Sequence, residues 1–218
     1  MNSLKLATVL VALALGACAS QPPRSNYTAL RSEAPRSILV VPVTNKSVDV
    51  NAPDYFLATI APTLAERGYY VFPINMVKSV LADDGLSDAN LVHAGDPRRL
   101  GELFGADAIM YIAIERWDAK YIVLSTTVTV ELTYVIKSGH TGNELWRNHK
   151  ILVYQPQQNN SGGLAGLIAN AIVAAIAKAA PNYIPLAIQA NNEALNIKGT
   201  GLPAGPNSSL YGKDAADF

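Results

Sequence analysis

IVLSTTVTVELTYVI, residues 122–136, is the stretch whose reading decides the fold. Its even positions are Ile122, Leu124, Thr126, Val128, Val130, Leu132, Tyr134 and Ile136. Ser125, Thr127, Thr129, Glu131 and Thr133 fall between them. Successive side chains of a strand point to opposite faces, so this period of two predicts a strand with one buried and one wet face. Its length predicts a bend or bulge. Downstream, Ser138-Gly139-His140-Thr141-Gly142-Asn143 reads as a turn, and Glu144 to Tyr154 as the returning strand. This half of the sheet is therefore expected to be antiparallel.

Upstream the pattern changes. Ile38-Leu39-Val40-Val41 is a short apolar run of the kind buried on both faces. A helix follows over Tyr55 to Arg67, with Phe56, Leu57, Ile60, Ala61 and Leu64 on one side, Gly68 as its stop and Pro62 as a possible kink or split. Tyr69 to Pro73 reads as a strand and Met76 to Ala82 as a helix. Asp96-Pro97 opens another helix, ending at Phe104 before Gly105. Ala108 to Ile114 is the next strand. Strand, helix, strand, helices, strand predicts an α/β sheet with crossover helices. The expected fold is one α/β domain over residues 37–198, with a mixed sheet and a C-terminal antiparallel hairpin.

The flanks read differently. Lys5, the apolar run Leu6 to Leu15 and small residues to Ala17 describe an export signal over residues 1–17. The run is too short for a membrane-spanning helix, which needs about 20 apolar residues. Leu15-Gly16-Ala17-Cys18 resembles the lipobox of bacterial lipoproteins, which implies cleavage before Cys18, a diacylglyceryl thioether on its thiol and further acylation such as palmitate. Ala19, rather than Asp, implies the outer membrane. Residues 18–36 are polar and proline-punctuated and read as a lipidated tether. Residues 199–218, rich in Gly, Pro, Asn and Ser, read as a disordered tail.

Composition excludes several classes. Cys18 is the only cysteine, so no intrachain disulfide or cysteine-based metal site can form. Lys+Arg and Asp+Glu both number 17. Losing residues 1–17 removes Lys5 and no acid, so the mature chain has no basic excess for nucleic acid.

The chemistry-bearing residues do not form a known motif. There is no HExxH, no G-x-S-x-G and no phosphate loop. His93 is placed in a loop with Asp96 nearby, His140 at the hairpin turn and His149 in the returning strand. Gly162 to Gly166 reads as a flexible joint, and Asp83, Asp84 and Asp88 as a solvated turn without EF-hand spacing. No catalytic residue, metal site or cofactor is assigned beyond the lipid on Cys18.

Two stretches stand as candidate contact sites. Glu115, Arg116, Trp117 and Asp118 follow a strand, where α/β sheets place ligands, although a salt-bridged strand exit with Trp117 packed on the sheet is the better account of them. The Ala-rich helix Leu164 to Ala180 carries Leu164, Leu167, Ile168, Ile172 and Ile176 on one side. Three roles are open for it: cover for the sheet, an interface with a partner or second copy, or a segment lying on lipid.

SILVVPVTN (Ser37 to Asn45), LAERGYYVFP (Leu64 to Pro73), FGADAIMYIAIERWDAKY (Phe104 to Tyr121) and HTGNELW (His140 to Trp146) together resemble a family of bacterial lipoproteins of unknown function. That family is typified by a neisserial surface antigen. The resemblance implies a fold like the N-terminal domain of periplasmic TolB, and a gene neighbour similar to the curli secretion channel CsgG. It further implies a non-enzymatic adaptor or assembly role in the cell envelope. The other class of function is a binding module for a small envelope ligand, a glycan or lipid fragment, at Glu115 to Asp118.

Overall fold

The computed structural model describes residues 25–122, 125–154, 171–172 and 183–218. Chain order runs α1 (Thr28–Glu33), β1 (Ser37–Val40), β2 (Thr44–Asn45), α2 (Ala52–Glu66), β3 (Tyr70–Val71), α3 (Ile74–Asp83) and α4 (Ala89–Ala94). It continues with α5 (Pro97–Phe104), β4 (Ala108–Ile122), β5 (Ser125–Ser138), β6 (Glu144–Tyr154) and α6 (Ile184–Leu195).

These strands form one mixed sheet in the order β3-β1-β4-β5-β6, with β2 continuing along the edge of β4 beyond β1. β1 pairs in parallel with β3 and β4, and β2 is parallel to β4. Pro42 separates β1 from β2 because it has no N–H to give to the ladder. β4, β5 and β6 are antiparallel. The fold is thus the α/β class the alternation predicts, with crossover helices on the parallel half and hairpins on the other.

Each face of the sheet carries its own core. Ile38, Val40, Met110, Ile112, Leu132, Tyr134 and Trp146 face α1, α2 and α6. Leu39, Val41, Ile109, Tyr111 and Val135 face α3, α4 and α5. In β5 the even positions Val128 to Ile136 lie in the larger core, as the period of two demands.

Pro62 does not split α2, which is continuous from Ala52 to Glu66. Pro62 lies on the exposed side, and so does Ala58, whose carbonyl it leaves without an intrahelical donor. That carbonyl faces solvent, while Phe56, Leu57, Ile60 and Leu64 hold the opposite face in the core. Between the layers a buried polar relay crosses the core. Tyr134 Oη donates to Asn191 Oδ1 at 3.1 Å, and Asn191 Nδ2 donates to Thr59 Oγ1 at 3.0 Å. Replacing Asn191 with Leu strips both bonds at a fully buried position. The expected cost is about 2 kcal/mol, read as a lower urea midpoint at unchanged slope.

Four expectations need correction. The first concerns the tether, because folded structure begins before Ser37: Tyr27 and Leu30 are buried in the larger core, with α1 between Thr28 and Glu33. Only those two apolar residues mark it, too few to stand out from a linker. Second, residues 199–218 are a built part of the domain, not a loose tail. Gly201 O accepts from Tyr27 Oη at 2.9 Å and from Trp146 Nε1 at 3.1 Å, and Pro203 O accepts from Tyr69 Oη at 3.1 Å. Gly205 N donates to Arg67 O at 2.7 Å. A Cβ on Gly201 would meet Leu195 O at 2.5 Å, so this glycine serves close packing rather than mobility.

The third correction is His93, which sits in α4 and not in a loop; Asp88 caps that helix by accepting from Asn90 N. Fourth, the strand after Ala108 does not stop at Ile114 but runs to Ile122. Its register shifts between Ile114 and Arg116. The extra residue, Glu115, changes the parity of the strand. Ala108, Met110, Ile112 and Ile114 face the larger core before the bulge, and Trp117 faces it afterwards.

Candidate functional site

Glu115 to Asp118 therefore lie within a long strand, at its bulge. Glu115 Oε2 meets Lys46 Nζ at 2.6 Å, joining β4 to the residue after β2. Arg116 Nη2 lies 3.5 Å from Glu131 Oε2, and Glu131 Oε1 also meets His149 Nε2 at 3.1 Å. Trp117 turns the other way, into the core. Its ring lies edge-on to Phe56 at 6.1 Å and to Tyr183 at 5.9 Å. Its Nε1 is buried and has no hydrogen-bond partner among the described residues. Asp118 is half-buried. The four residues are split between two faces of the sheet. Of the helix proposed over Leu164 to Ala180, Leu164, Leu167, Ile168 and Ile176 lie outside the described residues; Ile172 is buried in the larger core.

A serine, a histidine and carboxylates do meet near the β5–β6 turn, from distant parts of the chain. Asp107 Oδ2 accepts from Arg36 N at 2.9 Å, Ser37 N at 3.0 Å and Ser37 Oγ at 3.1 Å. Burial alone would raise the Asp107 carboxyl, but these donors outweigh it and hold it below the usual carboxylate range. His140 Nε2 lies 3.5 Å from Asp107 Oδ1. Ser138 Oγ donates to Glu33 and accepts from His140 N at 3.1 Å and Thr141 N at 2.9 Å. The Ser138 hydroxyl joins Glu33 to the backbone N–H groups that close the hairpin turn, and Asp107 holds the start of β1, so the group fastens α1, β1 and the hairpin together. Spacing offered no signal for it, since Glu33 and Ser138 are far apart in the sequence.

His93 lies half-buried at the margin of the second core, against its Tyr111. Its Nε2 lies 2.9 Å from Pro42 O, its ring is edge-on to Tyr111 at 5.1 Å, and Lys137 Nζ stands 5.4 Å over the Tyr111 ring. Burial lowers His93 below the ordinary 6.5; the bond to Pro42 opposes the shift and the Lys137 charge adds to it. Burial, with Asp96 beside it, pushes the Tyr111 hydroxyl up to about 12. Because His93 binds its proton more weakly when folded, the unfolded chain takes up more protons once pH falls below 6.5. Stability present above that pH is lost on acidification through the folded value. His93→Gln should flatten the fall in urea midpoint between about pH 7 and pH 5.

Among the described residues, no three His, Cys, Asp or Glu side chains converge on a point that would hold a metal ion. None of the described helices is long and apolar enough to cross a membrane.

The family described as "Putative lipoprotein GNA1162-like" matches residues 25–207. A protein of Neisseria meningitidis serogroup B, "Putative lipoprotein NMB1124/NMB1162", is 37% identical over 166 residues, covering 76% of this chain and 77% of its own. The crystal structure of lipoprotein GNA1162 from Neisseria meningitidis superposes with a TM-score of 0.55 at 36% identity, over 66% of this chain and 99% of that one. PelC from Paraburkholderia phytofirmans superposes at 0.41 with 16% identity, over 69% of this chain and 87% of that one.

Proposed function

Because the chain belongs to the GNA1162-like lipoprotein family, we propose that it is a lipid-anchored envelope protein whose domain binds other envelope proteins and catalyses no reaction. The observation that carries this is the use made of its polar residues. The Ser138, His140, Asp107 and Glu33 group is tied to the backbone of the hairpin turn and of the start of β1 and to one another, which fastens these elements together. Cys18 carries the acyl chains, palmitate among them, each buried CH₂ contributing about 0.8 kcal/mol of membrane affinity. Ala19 directs the protein to the outer membrane, and a CsgG-like lipoprotein is its partner.

Six residues, Ala19 to Arg24, separate the acylated cysteine from Ser25, seven Cα steps in all, and the Ser25 N–H is bonded to Gly199 O at 2.8 Å. At about 3.4 Å per residue the domain stays within roughly 25 Å of the lipid surface. Crosslinking in intact cells, followed by purification of the tagged full chain and mass spectrometry, tests the partner. Recovery of a CsgG-like lipoprotein in amounts comparable to the bait, and its loss in Cys18→Ser, is the expected result. Recovery of the bait alone contradicts it.

The indole N–H of Trp117, which has no hydrogen-bond partner among the described residues, favours a second reading, a small envelope ligand that supplies an acceptor between Phe56 and Tyr183. Titration of a glycan or lipid fragment would then shift Trp117 fluorescence, tracked in Trp146→Phe. An unchanged spectrum removes this reading.

A further inference from the structure

A cavity of about 240 Å³ lies between the C-terminal end of α1 and the segment 203–214. Leu30, Pro35 and Pro203 give it apolar walls. Tyr211 lines it at 46% exposure, and Arg31 and Asp214 bring one charge of each sign to it. A concave, largely apolar space with a few placed polar groups is where small molecules bind.

The walls are fixed before anything enters. Tyr69 Oη donates to Pro203 O at 3.1 Å, Ala204 N donates to Asp214 Oδ2 at 2.6 Å, and Asn207 N donates to Gly68 O at 3.0 Å. A ligand meets a shape that needs little further ordering.

The polar groups narrow the chemistry of that ligand. An anion drawn to Arg31 is opposed by Asp214, and a cation drawn to Asp214 is opposed by Arg31. Each side chain nonetheless has hydrogen-bonding capacity to spare. Arg31 gives Nη2 to Phe218 O at 3.1 Å, which uses one end of a fork of five N–H groups. The hydrogen bond to Asp214 falls on Oδ2, and Arg67 Nη2, which does not line the cavity, stands 3.8 Å from the same oxygen. Hydroxyl groups both donate and accept, so they serve a donor such as Arg31 and an acceptor such as Asp214 together. The Tyr211 ring and the leucine and proline walls suit a flat face of C–H groups. A sugar ring has both features and no charge.

We propose that this cavity binds one ring of a neutral sugar, its hydroxyls bonded to Arg31 and Asp214 and its C–H face against Tyr211. The cavity shares no residue with the Phe56, Trp117 and Tyr183 cluster, so it is a site distinct from the one considered at Trp117. It is also independent of the choice of envelope partner.

The methyl glycosides of glucose, galactose, mannose and N-acetylglucosamine are titrated against the full-length chain in detergent, with binding read by saturation-transfer difference NMR. The expected result is that at least one binds with a dissociation constant on the order of 1 mM, the range open to so small a ligand. Methyl glucuronide, an anion, and methyl glucosaminide, a cation, should bind about tenfold more weakly than the neutral glycoside. Tyr211→Ala and Arg31→Met, both at exposed positions, should each weaken binding about tenfold at an unchanged urea midpoint. Ser79→Ala, at an exposed position on α3, should leave it unchanged. Tighter binding of a charged sugar, or of the zwitterion leucine, overturns the proposal in favour of an ionic ligand. No binding by any of the neutral glycosides, or binding that either cavity variant leaves intact, overturns it outright.

Discussion

Deleting residues 199–218 should cost on the order of 5 kcal/mol, enough to abolish a cooperative urea transition in a domain of ordinary stability. A disordered tail would be removed without effect. The segment instead supplies acceptors to three buried donors: the Tyr27 and Tyr69 hydroxyls and the Trp146 indole N–H. Each donor left without a partner costs about 1–3 kcal/mol, less where water reaches it after the deletion. Leu202, fully buried in the larger core, adds about 2 kcal/mol of lost burial. Asp214 Oδ2 further accepts from Ala204 N at 2.6 Å and lies 3.8 Å from Arg67 Nη2. The Arg67 guanidinium lies 5.0 Å from the Phe218 ring centroid, so the deletion also strips the cover from a half-buried cation. The measurement is urea unfolding of full and shortened chains followed by tryptophan fluorescence. A shared midpoint would show that the segment contributes nothing.

Composition misled about this segment for a physical reason. Its role is carried by main-chain carbonyls, which every residue possesses, and its glycines allow close approach that composition equates with looseness. By contrast, the alternation from Val128 to Ile136 was fully legible, because half-burial forces polar and apolar residues to alternate on a pleated strand. The same logic explains why β4 looked shorter than it is. At Glu115 the bulge breaks the alternation, so the continuation through Arg116 and Trp117 reads as a strand exit when it is the same strand with its faces exchanged. The helix from Asp96 to Gly105 was legible at both ends, since a capping Asp, a Pro at the first position and a left-handed Gly each have a local cause. The candidate contact residues were legible as unusual types, but the side each one faces depends on the bulge and on partners such as Lys46 and Glu131 that only the fold brings near.

Gly101→Ala sets two effects of opposite sign against each other. Gly101 lies inside α5, where alanine should stabilise the helix by about 1 kcal/mol. A Cβ there would stand 2.2 Å from Gly139 O and 2.7 Å from Gly139 Cα. Both neighbours are main chain and cannot rotate away. Gly139 is itself held, its N–H donating to Asp107 O at 2.7 Å and its own Cα tight against the same helix. The helix must therefore lift off the hairpin turn, separating Leu100 from the second core. Overpacking of this kind costs about 3 kcal/mol, so a net loss of about 2 kcal/mol is expected, with a lower urea midpoint and an unchanged slope. A raised midpoint would mean that helix propensity wins and that α5 and the turn are not in contact.

The anchoring, the tether and the envelope partners proposed above all depend on acylation of Cys18. The most direct measurement is the intact mass of the protein purified from membranes, with fragmentation of its N-terminal peptide. The expected result is a chain beginning at Cys18 with acyl groups attached, and a Cys18→Ser variant found in the soluble fraction. A chain that keeps residues 1–17, or that carries Cys18 as a free thiol, would contradict a lipid anchor and with it the membrane-bound role.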